Sequence, residues 1–212
     1  MKLSATFSAA EKVSTDVIII SLFENTKKIP SELNALNKAS GGAISSLLKN
    51  GDFAGRLNET TIIPTDKKIT PKRVLLVGLG KSADFSLDKV RQAAGTATRV
   101  IQRKKFKNPS ILLYRLEIKG ISLEDVAHSV AEGILLSLYN FTMYKTLKKE
   151  DKPAITNYSL VVQKNDVLKS IKPVVKRAEI LAEAVCFTRD IVNMAGSDAT
   201  PTFLANKAKE IA

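Results

Sequence analysis

The residues with the clearest chemical potential in this chain are Gly78-Leu79-Gly80-Lys81-Ser82-Ala83. They follow an apolar run and precede a helical pattern, a setting in which free backbone amides can cradle a phosphate. As a dinucleotide fingerprint the segment has glycine at the first two positions and Ala83 at the third, which is permitted. Asp84-Phe85-Ser86 nevertheless separate it from its helix, and no acidic residue ends a following strand about 20 residues on. As a P-loop it supplies the Gly80-Lys81-Ser82 tail, but Leu75 stands in mid-strand where the leading glycine belongs. The residues fit a glycine turn that ends a central strand.

The other reactive groups are isolated. His128 is the only histidine, so no His-x-x-x-His pair and no histidine-rich zinc site can form. No nucleophile-elbow motif accompanies it. Cys186, the only cysteine, lies near the apolar side of a helical segment beside Phe187 and reads as a packed thiol. Glu124 and Asp125 fall in a first helical turn, where negative charge favours the helix dipole. The sequence nominates no catalytic, cofactor-binding or metal-ligating residue.

The totals bound what must position these groups. At 212 residues, 44% hydrophobic and 25% charged, the chain has a globular composition and can bury a core without disulfides or a metal. A lone cysteine fits a reducing compartment. The longest strongly apolar run, Val17-Ile18-Ile19-Ile20, is far short of the 18 or so residues that span a bilayer. Met1 to Thr6 has no apolar core of a secretory signal. A cytoplasmic protein with no membrane contact is expected. The charge of +12 raises the prospect of an anionic partner. Its carriers are scattered, with small clusters at Arg103-Lys104-Lys105-Phe106-Lys107 and Lys148-Lys149.

Strand patterns occur at Leu3–Phe7, Val17–Phe23, Thr60–Ile63 before Pro64, Val74–Val77, Ile111–Tyr114 and Tyr158–Val162. Between them lie helical stripes. Ser86 can cap Leu87, Val90, Ala94, Ala97, Val100 and Ile101. Ser122 with Asp125 resembles a capping box ahead of Val126, Val130, Ile134 and Leu138. Pro173 is placed at a first helical position, followed by Val174, Ala178, Leu181, Val185 and Val192. Shorter helices are expected over Glu32–Lys38 and Ala43–Lys49. Thr200-Pro201 opens a last helix carrying Phe203, Leu204, Ala208 and Ile211. The alternation predicts an α/β layered domain. The last apolar stripe has little sequence left to pack against, so the segment from about Gly196 to Ala212, the truncated start of a second domain, is expected to fray or to be ordered only by packing on a neighbouring molecule.

Four fragments, in order, resemble leucine (cytosol) aminopeptidases. They are Asp52-Phe53-Ala54-Gly55-Arg56 and Val77-Gly78-Leu79-Gly80-Lys81; then Ala131-Glu132-Gly133 running to Tyr139-Asn140-Phe141 and Tyr144-Lys145; then Arg189-Asp190-Ile191-Val192-Asn193 with Thr200-Pro201 and Leu204-Ala205. One departure is Met194-Ala195-Gly196-Ser197, where the family usually has a proline at the position of Ala195; its loss is expected to loosen the turn.

The resemblance implies a macro-like three-layer N-terminal domain over residues 1–165, a mixed sheet between helices. A long connector helix would cover 166–195, and 196–212 would begin a metallopeptidase domain. It implies a parent that is cytoplasmic, homohexameric and dependent on two divalent metals, manganese or zinc, in releasing N-terminal residues from peptides. None of its catalytic or metal-binding segments occurs here, so the chain is expected to be inactive alone and to serve architecture and assembly beside its missing C-terminal peptidase domain. Two alternatives are a nucleic-acid-binding module, suggested by the charge and expected to bind only weakly, and a macro-like module for an ADP-ribose-type ligand.

Overall fold

The computed structural model describes residues 1–65, 69–114, 120–146 and 154–211. Lys148 and Lys149 of the second basic cluster, and Ala212, lie outside the described residues. The strands are Lys2–Phe7 (β1), Val17–Leu22 (β2), Thr60–Pro64 (β3), Arg73–Gly78 (β4), Pro109–Leu112 (β5) and Asn157–Val162 (β6). They form one sheet in the order β1-β6-β5-β2-β4-β3, with all pairs parallel except β3 with β4. The fold is therefore α/β with a mixed sheet.

The run from Val17 to Leu22 shows why the sheet is covered on both faces. Val17 and Ile19 join one core with Leu75, Val77, Ile111 and Leu160, while Ile18, Ile20 and Leu22 join another with Val74, Leu76 and Val161. A strand apolar at every position is what burial on two faces demands. The first core is closed by Leu87–Arg103 (α3), Leu123–Ser137 (α4) and Asn165–Asn193 (α5); the second by Asn34–Ala39 (α1) and Ala43–Asn50 (α2), with Phe53 buried beside them. Three layers result.

The helix starts follow their caps. Ser86 Oγ accepts from the Lys89 amide, and Ser122 and Asp125 complete a reciprocal capping box at α4. Pro201–Ile211 (α6) is capped by Thr200 Oγ1, which accepts from the Phe203 amide at 3.2 Å. None of the residues of α6 is buried.

Three expectations need correction. The strand over Ile111–Tyr114 ends at Leu112, and Tyr114 turns back to donate its hydroxyl to the Ser21 carbonyl. The helix placed from Pro173 begins at Asn165, with Pro173 inside it and exposed. The proline removes the bond its own amide would make to the carbonyl of Lys169 and crowds that carbonyl with its ring; on the solvent side water can bond the displaced oxygen. Ile171 and Val175, both buried, hold the helix on either side of the break. The buried face of α5 is Ile171, Val175, Ala178 and Ala182, not the stripe through Leu181, Val185 and Val192. Those three are exposed by 43%, 40% and 77%.

Candidate functional site

The glycine turn after β4 spends its amides internally. Gly78 N–H donates to the Glu59 carbonyl, Leu79 N–H to Leu22, and Gly80 N–H to Gly55. A Cβ on Gly78 would run into the carbonyl oxygen of Arg56. A 3-10 turn, Ser82–Asp84, then intervenes before Ser86 caps α3. The glycines let two backbone segments touch, and no row of free amides faces a helix N-terminus as a pyrophosphate requires.

Open parallel sheets take ligands beyond the carboxyl ends of their strands, at the point where neighbouring connections go to opposite faces. Here that point is between β2, which leads to α1 and α2, and β5, which leads to α4. Tyr114 sits in it among Ser21, Leu79, Ile111 and Val126, hydrogen-bonded to Ser21. Burial, with Glu32 nearby, pushes its phenol well above the ordinary tyrosine range. Beside it a cavity of about 460 Å³ opens at the ends of β5 and β6, lined by Leu113, Ile121, Val162 and Val167 with Glu32 and Glu124. Lys164 joins the two carboxylates in that lining, so its charges are mixed.

The remaining reactive residues are drawn into packing. Glu132 accepts from Arg91 Nε at 2.9 Å and Nη2 at 2.7 Å, and His128 Nδ1 lies 3.6 Å from the same carboxylate. Arg91 also bonds Asp88. The group ties α3 to α4. Cys186 is half-buried on α5, and burial raises its thiol pKa, which keeps it protonated and poorly nucleophilic. Among the described residues no three His, Cys, Asp or Glu side chains gather where a metal could sit.

The structure does bring two distant fragments together at the joint beyond α4. Tyr139 Oη donates to Asp190 Oδ1 at 2.9 Å and accepts from Asn193 Nδ2 at 3.1 Å. The Arg189 guanidinium lies 5.4 Å over the Tyr139 ring. Tyr144 Oη donates to Asp198 and accepts from the Ala195 amide at 2.8 Å. That amide is the donor a proline at 195 would lack, so the turn has a tie in place of a ring.

The profile described as the cytosol aminopeptidase family, N-terminal domain, matches residues 19–148, more than half of the chain. The chain belongs to the cytosol aminopeptidase family. It is 27% identical over its whole length to a probable cytosol aminopeptidase of Alkaliphilus oremlandii and 31% identical over 91% of its length to one of a Sulfurihydrogenibium species. It spans 42% and 38% of those relatives, about two-fifths of a cytosol aminopeptidase chain. In structure it is similar to a tomato leucine aminopeptidase mutant, with a TM-score of 0.78 at 21% identity, covering all of this chain and 42% of that one. It is also similar to the bottromycin maturation enzyme BotP in complex with Mn, with a TM-score of 0.66 at 21% identity over 93% of this chain and 36% of that one. An Oceanobacillus iheyensis macrodomain mutant matches with a TM-score of 0.60 at 11% identity, over 82% of this chain and 90% of that one. The fold is macro-like, and the chain is an N-terminal domain of this family.

The family fragments have physical roles in this fold. Ala131 is fully buried, Glu132 holds Arg91, and Gly133 lets α4 approach α3. The plug formed by Tyr114 and the Tyr144–Asp198 tie leave no signal in the sequence. A tyrosine continuing an apolar run looks like more strand, and partners 54 residues apart show no periodicity.

Proposed function

We propose that the chain is the non-catalytic N-terminal domain of a two-metal leucyl aminopeptidase, and that its work is architectural. Residues 1–165 form the domain body, 166–195 the connector, and 196–212 the first piece of a peptidase domain that carries the metals. The two divalent metals, manganese or zinc, would activate water and stabilise the tetrahedral intermediate there. No residue of this chain takes part in that step. The observation that carries the reading is the contrast between the two sides of α5. One side is anchored by Ile171, Val175, Ala178 and Ala182, whereas Leu181, Val185 and Val192, and Ile211 on α6, face solvent. Apolar side chains on a connecting helix suit a partner surface that belongs to the rest of the enzyme. The same reading makes the parent a cytoplasmic homohexamer.

Tyr114 in the strand-end crevice and the internally bonded amides of Gly78, Leu79 and Gly80 favour this reading over an ADP-ribose-type module. The test is an assay of the purified chain on a leucyl chromogenic substrate with excess manganese or zinc. No turnover is expected. Metal-dependent hydrolysis that a chelator abolishes would overturn the proposal.

A further inference from the structure

Beyond Ala182 no residue of α5 is buried, yet the helix runs on to Asn193. At 1.5 Å per residue that is an overhang of about 16 Å, in which the apolar residues Cys186 and Ile191 are half-buried. What meets its end is polar. Each of two phenols donates once and accepts once: Tyr139 between Asp190 and Asn193, Tyr144 between Asp198 and the Ala195 amide. Arg189 Nη1 reaches the Leu136 carbonyl at 3.3 Å, so the last turn of α5 is also tied to α4. The Phe141 ring meets Tyr144 edge-on, with centroids 5.6 Å apart.

We propose that Tyr139 and Tyr144 are positioning residues of a clamp that fixes the direction in which the chain leaves α5. The clamp holds the turn at 194–199 against the loop after α4, and through that turn it sets where α6 lies. Each oxygen holds two partners of the turn or helix end at once, so the pair ties a direction where apolar contact alone would tolerate several. What this means for a following peptidase domain rests on the function proposed above. The clamp itself rests on contacts within this chain.

The test is amide hydrogen exchange on the 212-residue chain, comparing Tyr139→Phe, Tyr144→Phe, the double variant, Asp198→Ala and Asp198→Asn. Both tyrosine changes remove one oxygen and keep the ring. In the double variant, amides from 194 to 211 are expected to exchange about 5–10 times faster, while those of β4 keep their rate. Asp198→Asn, which preserves an acceptor for Tyr144, is expected to change exchange less than Asp198→Ala. Unchanged exchange over 194–211 would overturn the clamp, as would equal acceleration in β4, since the tyrosines would then be supporting the whole domain. Either result would leave the architectural function standing, because that is read by the activity assay.

Discussion

Gly133 lies against the backbone carbonyl of Arg91 where α4 crosses α3, so closely that a Cβ at 133 would collide with that oxygen and sit 3.1 Å from the Ala94 Cβ. The contact lets Arg91 reach Glu132 on the same crossing. Helix propensity alone would favour alanine at 133 by about 1 kcal/mol. Overpacking opposes it.

Gly133→Ala is therefore expected to destabilise by about 1–3 kcal/mol. Gly95→Ala, whose Cβ would lie 3.3 Å from the Gly133 carbonyl, should cost less. Chemical denaturation of both variants checks the order. A stabilised Gly133→Ala protein would show that the crossing has room to spare.

Asp16 stitches the opposite end of the sheet. Its burial would raise the carboxyl pKa, but the amides of Lys107 and Asn108, with Lys72 at 3.3 Å, outweigh that and hold it below the ordinary aspartate range. A depressed pKa in the folded state adds stability above the unfolded value of about 3.9. That contribution is lost as pH falls through the folded value. The wild-type protein should lose more stability than Asp16→Asn between neutral pH and pH 3. Parallel unfolding curves for the two across that range would contradict this.

Pro173 interrupts α5 on its exposed side. Pro173→Ala restores one amide and one helical bond, and should stabilise the protein by about 1–3 kcal/mol. The expected sign is the reverse of that for a proline at a helix start, where its fixed φ is an advantage. Thermal unfolding separates the two.

Tyr114→Phe keeps the ring in the crevice and strips the Ser21 carbonyl of its donor. A loss of about 1–2 kcal/mol is expected, with larger loss for Tyr114→Ala, which also opens a cavity. If the two variants unfold together, the ring contributes nothing as a plug.

How much of this is written in the sequence depends on the range of the interaction. The strand over Val74–Val77 and the capped starts of α3 and α4 are local matters of burial and capping, and the sequence shows them. The start of α5 escapes a reading by pattern because proline at 173 looks like a first helical residue, while the side chains that tolerate it, Ile171 and Val175, declare themselves only when packed. Its buried face is legible only in part: Ala178 lies on the stripe the sequence shows, but Leu181 and Val185 are as apolar as any core residue, and only tertiary contact shows that they turn outward. Family membership is carried by fragments in order. Their meeting at Tyr139, Asp190 and Asn193 is visible only in three dimensions.

The place of β1 at the edge of the sheet bears on how the domain is made. Leu3 pairs in register with Tyr158, not with anything in β2. β1 therefore leaves the ribosome well before its neighbour, with a wait of roughly 10–30 s at ordinary rates of synthesis. Until then Leu3 has no core to enter, and β6, once emerged, offers an unpaired edge on the side β1 will fill. The domain cannot be finished from its N-terminus onward. It closes when β1 docks beside β6, a non-local pairing of the kind that is slow to form.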